Sequence, residues 1–234
     1  MVHPSVTPED GVNRYEYDLT QGPACAIAAG AGTIYRNYFA PVNGKIGQTA
    51  DNQIDCLAEM GAALENSKNQ LWQMKNGYAL PSLEGLDAIN NQIISASELE
   101  RDELRKLLRI GIQWNTEVTL NEAKHTVTQA YCSALPVSYS NLPAKLWAEF
   151  AKLILEAAYE ATFCAGILNQ LNTGNNKIYL TLLGGGAFGN NQEWIINAIA
   201  RSLELYKSFD LNVFIVSYRY SHPHIQQLIS EYQA

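Results

Sequence analysis

The sequence has no Cys-x-x-Cys pair and no cysteine–histidine ligand spacing; its four cysteines, Cys25, Cys56, Cys132 and Cys164, stand far apart. That excludes a disulfide framework or a zinc ribbon. Cys25, Cys132 and Cys164 lie in apolar segments, which predicts buried free thiols in a reducing compartment. Positive charge is scarce as well. Sixteen Lys and Arg against 23 Asp and Glu leave a net charge of −7. Nucleic acid is therefore excluded as the main partner, because phosphate backbones need a basic footprint. Long apolar runs are missing too. The most apolar long stretch, Leu146 to Leu171, is broken by Glu149, Lys152, Glu156 and Glu160, short of the ~18–20 apolar residues of a membrane span. Met1–Asp10 has neither the basic nor the apolar region of a secretory leader, so the sequence predicts a cytoplasmic protein with no membrane partner.

What is present is a core. Of 234 residues, 47% are hydrophobic and only 17% charged, a balance that excludes disorder and coiled coil. At roughly 100–200 residues per domain, the expectation is a polar lead-in over residues 1–20 and one domain over residues 21–234.

The pattern along the chain predicts α/β architecture. A short strand is expected at Tyr15–Leu19 and a buried one at Ala24–Ala29, before Gly30. Pro41-Val-Asn-Gly44 reads as a turn and Ala50–Leu64 as a helix. Asn76–Asn91 reads as a loop. Ser97 with Glu100 forms a capping box, opening a helix whose apolar face is Leu99, Leu104, Leu107 and Leu108. Residues 65–125 stand as a helical and loop insertion. Val127–Leu135 reads as a buried strand. Pro143 opens a long helix with the stripe Leu146, Phe150, Leu153, Ala157, Ala161, Cys164 and Leu168, and Asn172-Thr-Gly174 stops it. Glu149, Glu156 and Glu160 are assigned to its solvated face. A strand at Lys177–Leu183, a glycine loop, a helix at Gln192–Lys207 and a strand at Asn212–Tyr218 follow. Strands alternating with long helices imply a mostly parallel sheet covered on both faces, with ligands at the strands' carboxyl ends.

The glycine loop carries the strongest chemical signal. Gly184-Gly-Gly-Ala-Phe-Gly189-Asn190 joins a strand to a helix. Glycines uncover backbone N–H groups, and the helix adds its positive end, so the segment suits a pyrophosphate. A tight packing turn is the structural alternative. No Lys-Ser/Thr follows, which excludes a Walker A loop. Gly184, Gly186 and Gly189 also match G-x-G-x-x-G. The next strand, however, leads to Tyr218-Arg219-Tyr220 with no ribose-binding acid.

The segment Gly184–Asn190 resembles the diphosphate loop of macrodomains, the ADP-ribose-binding family. The resemblance implies a three-layer α/β/α fold with a mixed, mostly parallel sheet. It implies that Gly184, Gly185, Gly186, Ala187, Gly189 and Asn190 wrap the diphosphate and that Phe188 packs on the distal ribose. It also places Tyr218, ending the last strand, on adenine. Gly47-Gln-Thr-Ala-Asp-Asn-Gln-Ile-Asp55 is similar to the Gln-Glu-Glu helix start of the glycohydrolase branch, with Ile54 departing from that pattern. The resemblance covers residues 21–60 loosely and 177–218 better. It implies ADP-ribose as ligand or product, an ADP-ribosylated protein as partner, and no separate cofactor. Bacterial effectors that strip ADP-ribose from a host protein such as ubiquitin supply one substrate class.

Cleaving an ADP-ribosyl bond needs a carboxylate to activate water. Asp51 and Asp55 stand four residues apart and share a face if the segment is helical; both are candidate catalytic groups. Asn37 is a candidate for ribose hydroxyls. His222 and His224 lack a third ligand nearby, so no metal site is assigned. Three readings follow: an ADP-ribosylhydrolase; a non-catalytic ADP-ribose reader, favoured by Ile54; and an NADP-dependent enzyme, favoured by G-x-G-x-x-G and Arg219.

Overall fold

The computed structural model of the chain describes residues 3–19, 22, 28–217 and 221–233. Its class is mixed α/β. The chain divides into two compact units, residues 1–85 and 86–234, where the sequence reading has one domain from residue 21.

In the first unit the expected lead-in is structured. Pro8–Asp10 and Val12–Tyr17 are 3-10 helices, so the strand expected at Tyr15–Leu19 is not formed. Tyr15 is buried, and its hydroxyl accepts from the Arg36 guanidinium at 3.3 Å. The Glu9 carboxylate accepts from Ala50 N–H at 2.7 Å, and the Asn76 amide donates to Pro4 O at 2.7 Å. Most of Ala24–Ala29 lies outside the described residues. Helix α1 is Gly30–Tyr38. Strands β1 (Pro41–Val42) and β2 (Lys45–Ile46) form a hairpin across Asn43-Gly44, both with positive φ, as the Pro-Val-Asn-Gly turn predicts. Helix α2 covers only Ala58–Ala63, far less than Ala50–Leu64. Strands β3 (Trp72–Lys75) and β4 (Tyr78–Pro81) form a second hairpin over Asn76-Gly77, again with positive φ at both residues; the sequence reading has a loop there. Buried Asn66 accepts from Leu71 N–H at 2.8 Å and donates to Trp72 O at 2.9 Å, pinning β3.

Helix α3 (Leu83–Ser95) carries the boundary between the units in its first turn and buries Leu86, Ile89 and Ile93. In the second unit, α4 (Glu98–Arg105) starts with the predicted capping box: Glu100 N–H donates to Ser97 Oγ at 3.3 Å, and Ser97 N–H donates to the Glu100 carboxylate at 2.7 Å. Its predicted apolar face is not the buried one. Leu99 is 75% exposed, whereas Arg105 is only 6% exposed. Strands β5 (Gly111–Glu117) and β6 (Thr126–Tyr131) form a bulged antiparallel hairpin, with Asn115 at φ 53° in the bulge. β6 is half-exposed and ends at Tyr131, so it is not the buried strand expected over Val127–Leu135.

Ala144–Trp147 is a 3-10 turn that runs into α5 (Ala148–Thr173). Gly174 ends α5 in the left-handed conformation at φ 75°, where the sequence places the stop. Between Phe150 and Tyr159, α5 is buried at every position except half-buried Lys152 and Glu156. It is a central helix rather than one with a single stripe. Toward its end Cys164 is exposed, as is Leu168 at 48%; the stripe therefore does not continue, and Cys164 is not a buried thiol. Strands β7 (Lys177–Thr181) and β8 (Asn212–Val216) pair in parallel through α6 (Gln192–Leu205), as predicted. Helix α7 is Pro223–Gln233. Tyr159, Phe163, Ile178, Leu180, Ile195 and Ile199 form the shared core of α5, β7 and α6.

Among the described residues the strands make four two-stranded sheets, of which only β7–β8 is parallel. A larger, mostly parallel sheet is not among them. No helix of the described residues is long and apolar enough to cross a membrane.

Candidate functional site

The glycine loop occupies the carboxyl end of β7 and closes on itself. Gly185 N–H donates to Leu182 O at 3.2 Å, Gly189 N–H to Gly186 O at 3.0 Å and Asn190 N–H to Gly184 O at 3.0 Å. The segment 134–140 braces it from one side. Asn190, 5% exposed, donates its amide to Leu135 O at 2.8 Å. Ser138 N–H donates to Phe188 O at 2.9 Å. The Tyr139 and Phe188 rings meet edge to face at 5.4 Å. Asn190 is thus a clamp holding the loop to its brace, and its Oδ1 is buried without a partner. The Phe188 ring packs on Tyr139 and against the core.

The loop glycines separate by physical role. Gly184 and Gly189 have φ of +72° and +68°, which side-chain-bearing residues avoid. A Cβ on Gly184 would lie 2.3 Å from Ala134 Cβ, and one on Gly189 would lie 1.8 Å from Ser138 Oγ. Both are required by the turn itself. Gly186 is different. It is exposed, its φ is outside the left-handed region, and nothing stands within 4 Å of a Cβ placed on it. Among the described residues, the N–H groups of Gly186 and Ala187 meet no acceptor, and both residues are exposed. Two adjacent uncovered N–H groups on an exposed turn can receive an anionic oxygen.

The start of α6 adds less than the sequence promised. Asn191 caps it, its side-chain oxygen accepting from Glu193 N–H at 2.8 Å, so that donor already has a partner. From below, Tyr159 anchors the loop's first residues. Its hydroxyl donates to Thr181 O at 2.7 Å and accepts from Leu183 N–H at 2.9 Å. Burial pushes the Tyr159 phenol well above its usual range, so the group stays neutral and keeps its proton to donate. Because the folded value is raised, this stabilisation is complete below the ordinary phenol pKa of about 10 and fades as pH rises beyond it. Tyr159→Phe is expected to cost about 1–2 kcal/mol, since it strips a buried N–H and a C=O of their partner. Urea unfolding at neutral pH checks the loss, and the alkaline decline should flatten in the variant.

The other predicted residues belong to the first unit or lie outside the description. Asn37 is 1% exposed within α1 and donates to Pro8 O at 3.1 Å. It joins α1 to the N-terminal 3-10 segment rather than facing a ribose. Asp51 and Asp55 precede α2, so the shared helical face does not exist. Residues 47–55 form a loop instead, tied by Gln48 Oε1 accepting from Ile54 N–H at 2.9 Å and by the Gln53 amide donating to Asn76 Oδ1 at 3.0 Å. Asp55 Oδ1 accepts from Leu57 N–H at 2.8 Å, a turn-capping role; both aspartates are exposed. Beside it, burial first and then the Asp55 charge push the Cys56 thiol up, with Arg36 opposing, which keeps that thiol protonated and poorly nucleophilic. Tyr218 and Arg219 lie outside the described residues. His222 and His224 stack edge to face at 5.1 Å, and no group of three or more metal-ligating side chains occurs among the described residues.

Sequence reasoning missed Ser138, Tyr139 and Tyr159, because a brace from a distant segment leaves no local spacing. The one hint was Tyr159 itself, a residue with a polar tip between the apolar Ala157, Ala158 and Ala161 of α5. No protein-family model, curated protein or solved structure matches this chain.

Proposed function

We propose that the exposed turn Gly185–Ala187 binds the diphosphate of an ADP-ribose-type ligand and that the chain recognises ADP-ribose or an ADP-ribosylated protein. The observation carrying this reading is Gly186. Neither backbone conformation nor crowding requires a glycine there, whereas close approach of a phosphate does. The position of the turn, at the carboxyl end of a parallel strand and before a helix, agrees with where α/β proteins bind phosphate. The three-layer macrodomain arrangement is part of the proposal, and it requires the β7–β8 pair to belong to a larger sheet.

Recognition is the better-supported form of this activity. The carboxylate pair loses its helical alignment, and Asp55 is engaged as a turn cap. A second reading is hydrolysis that removes ADP-ribose from modified proteins, a host protein such as ubiquitin being one substrate class. Exposure of both Asp51 and Asp55 favours it, because an exposed carboxylate can reach a substrate and its water. The NADP reading has no further observation in its favour.

Calorimetric titration with ADP-ribose, NAD and NADP separates these ligands. Micromolar binding of ADP-ribose alone is expected. Asp55→Ala should keep that binding; loss of turnover on an ADP-ribosylated protein in the same variant would move the conclusion from recognition to hydrolysis. Absence of ADP-ribose binding contradicts both.

A further inference from the structure

The brace beside the glycine loop works through its backbone, and this leaves one side chain without a structural task. Ser138 N–H donates to Phe188 O at 2.9 Å, and Val137 N–H donates to Leu135 O at 3.0 Å. An alanine at 138 would keep both bonds and the 3-10 turn Val137–Tyr139, because all are main-chain features. The neighbouring serines use their hydroxyls locally: Ser133 Oγ donates to Ala134 O at 3.2 Å, and Ser140 Oγ accepts from Leu142 N–H at 3.2 Å. Ser138 is exposed, and among the described residues its hydroxyl meets no hydrogen-bond partner.

Gly189 defines where that hydroxyl stands. A Cβ built on Gly189 would lie 1.8 Å from Ser138 Oγ, so the oxygen fills the space that the glycine leaves open. Gly189 N–H donates to Gly186 O at 3.0 Å, which closes Gly186–Gly189 as a turn whose ends lie within about 7 Å of each other. The hydroxyl therefore stands at the closing end of the turn, and the uncovered N–H groups of Gly186 and Ala187 stand at its opening end. Neither residues 130–140 nor residues 181–191 contain a lysine or arginine, so neutral donors must meet a ligand's charge here.

We infer that Ser138 selects a diphosphate over a single phosphate, its hydroxyl holding one phosphate group while the Gly186 and Ala187 N–H groups hold the other. This role rests on the proposed binding of a diphosphate by the exposed turn. Two adjacent N–H groups suffice for one phosphate and by themselves barely distinguish a diphosphate from a monophosphate. A second donor across the turn does distinguish them, because only a ligand with two linked phosphate groups reaches both. A hydroxyl donating to an ionised oxygen makes a strong, charge-assisted bond. The ligand class is then a nucleoside diphosphate, free or carrying a ribose, rather than a nucleoside monophosphate.

Calorimetric titration of the full chain and of Ser138→Ala with ADP-ribose and ADP, with AMP measured by competition, tests this. Ser138→Ala should weaken ADP-ribose and ADP by about tenfold and leave AMP within about twofold. Its urea midpoint should not move, since the bond to Phe188 O is kept. Unchanged ADP-ribose binding in the variant overturns the role of Ser138. Equal weakening of all three ligands, or a lowered urea midpoint, also overturns it, because the hydroxyl would then be shaping the loop. In each of these cases the native chain still binds ADP-ribose and the diphosphate reading of the turn survives. If the native chain binds none of the three, that reading fails and the role of Ser138 fails with it.

Discussion

Gly189→Ala is expected to destabilise the second unit by about 2–3 kcal/mol, while Gly186→Glu, three residues earlier, changes stability by less than about 0.5 kcal/mol. The two glycines sit in one loop but face different constraints. An alanine at 189 must adopt φ +68° and place its Cβ 1.8 Å from Ser138 Oγ and 3.0 Å from Ser138 Cβ. Rotating the hydroxyl relieves the first contact but not the second. The displaced brace would then strain Ser138 N–H against Phe188 O, a bond of 2.9 Å that fixes the loop's height. A side chain at 186 meets nothing within 4 Å, so the free protein tolerates it. Yet a carboxylate there places bulk and negative charge where the proposal puts phosphate, and binding should fall by about a hundredfold, roughly 2.7 kcal/mol. Thermal or urea unfolding of both variants, with titration of the second, checks the contrast. If Gly186→Glu were as unstable as Gly189→Ala, the turn would need all its glycines for packing and the argument for a ligand would fail.

The second large effect lies in the first unit. Gly85→Ala should cost about 2–3 kcal/mol, although alanine ordinarily improves a helix by roughly 0.5–1 kcal/mol over glycine. The clash decides the sign. A Cβ on Gly85 would lie 1.9 Å from Leu71 O, 2.7 Å from its carbonyl carbon and 2.9 Å from its Cα. These are backbone atoms, so no rotamer change relieves the contact. The Leu71 carbonyl also accepts from Ser82 N–H at 3.3 Å, and Ser82 Oγ accepts from Gly85 N–H at 2.9 Å. The first turn of α3 is therefore sealed against the residue leading into β3. Urea unfolding of the variant measures the loss, and a stability gain would show that the approach of α3 to Leu71 is looser than the structure has it.

Local signals in the sequence translated well. The Ser97–Glu100 box, the Asn43-Gly44 turn, the stop at Gly174 and the strand–loop–helix–strand run from Lys177 each depend on a few neighbouring residues, and each is found. Nonlocal features did not translate. Apolar periodicity through Ile54, Leu57 and Leu64 suggested a helix from Ala50, but side-chain hydrogen bonds of Gln48, Gln53 and Asp55 hold that segment as a loop. Asn-Gly at 76–77 carried a hairpin signal, flanked by Trp72 and Met74 on one side and Tyr78 and Leu80 on the other, but Gly77, Pro81 and Gly85 together read as a loop. The buried residue of α4 is Arg105, while Leu104, Leu107 and Leu108 of the expected apolar face are half-buried; besides Glu98 and Asp102 on its own helix, Arg105 pairs with Glu156, 51 residues away, and no window on the sequence joins those two. The same holds for the site. The loop was legible as glycine-rich, but which glycines the turn requires depended on Ala134 and Ser138, contributed by another segment.

The most direct measurement follows the backbone amides of Gly186 and Ala187 by NMR as ADP-ribose is added. The account predicts saturable shifts at these two amides, larger than at Ile199 in the core of α5, β7 and α6, and absent in Gly186→Glu. Binding that leaves both amides unmoved, or no binding at all, contradicts the assignment of this loop to a diphosphate.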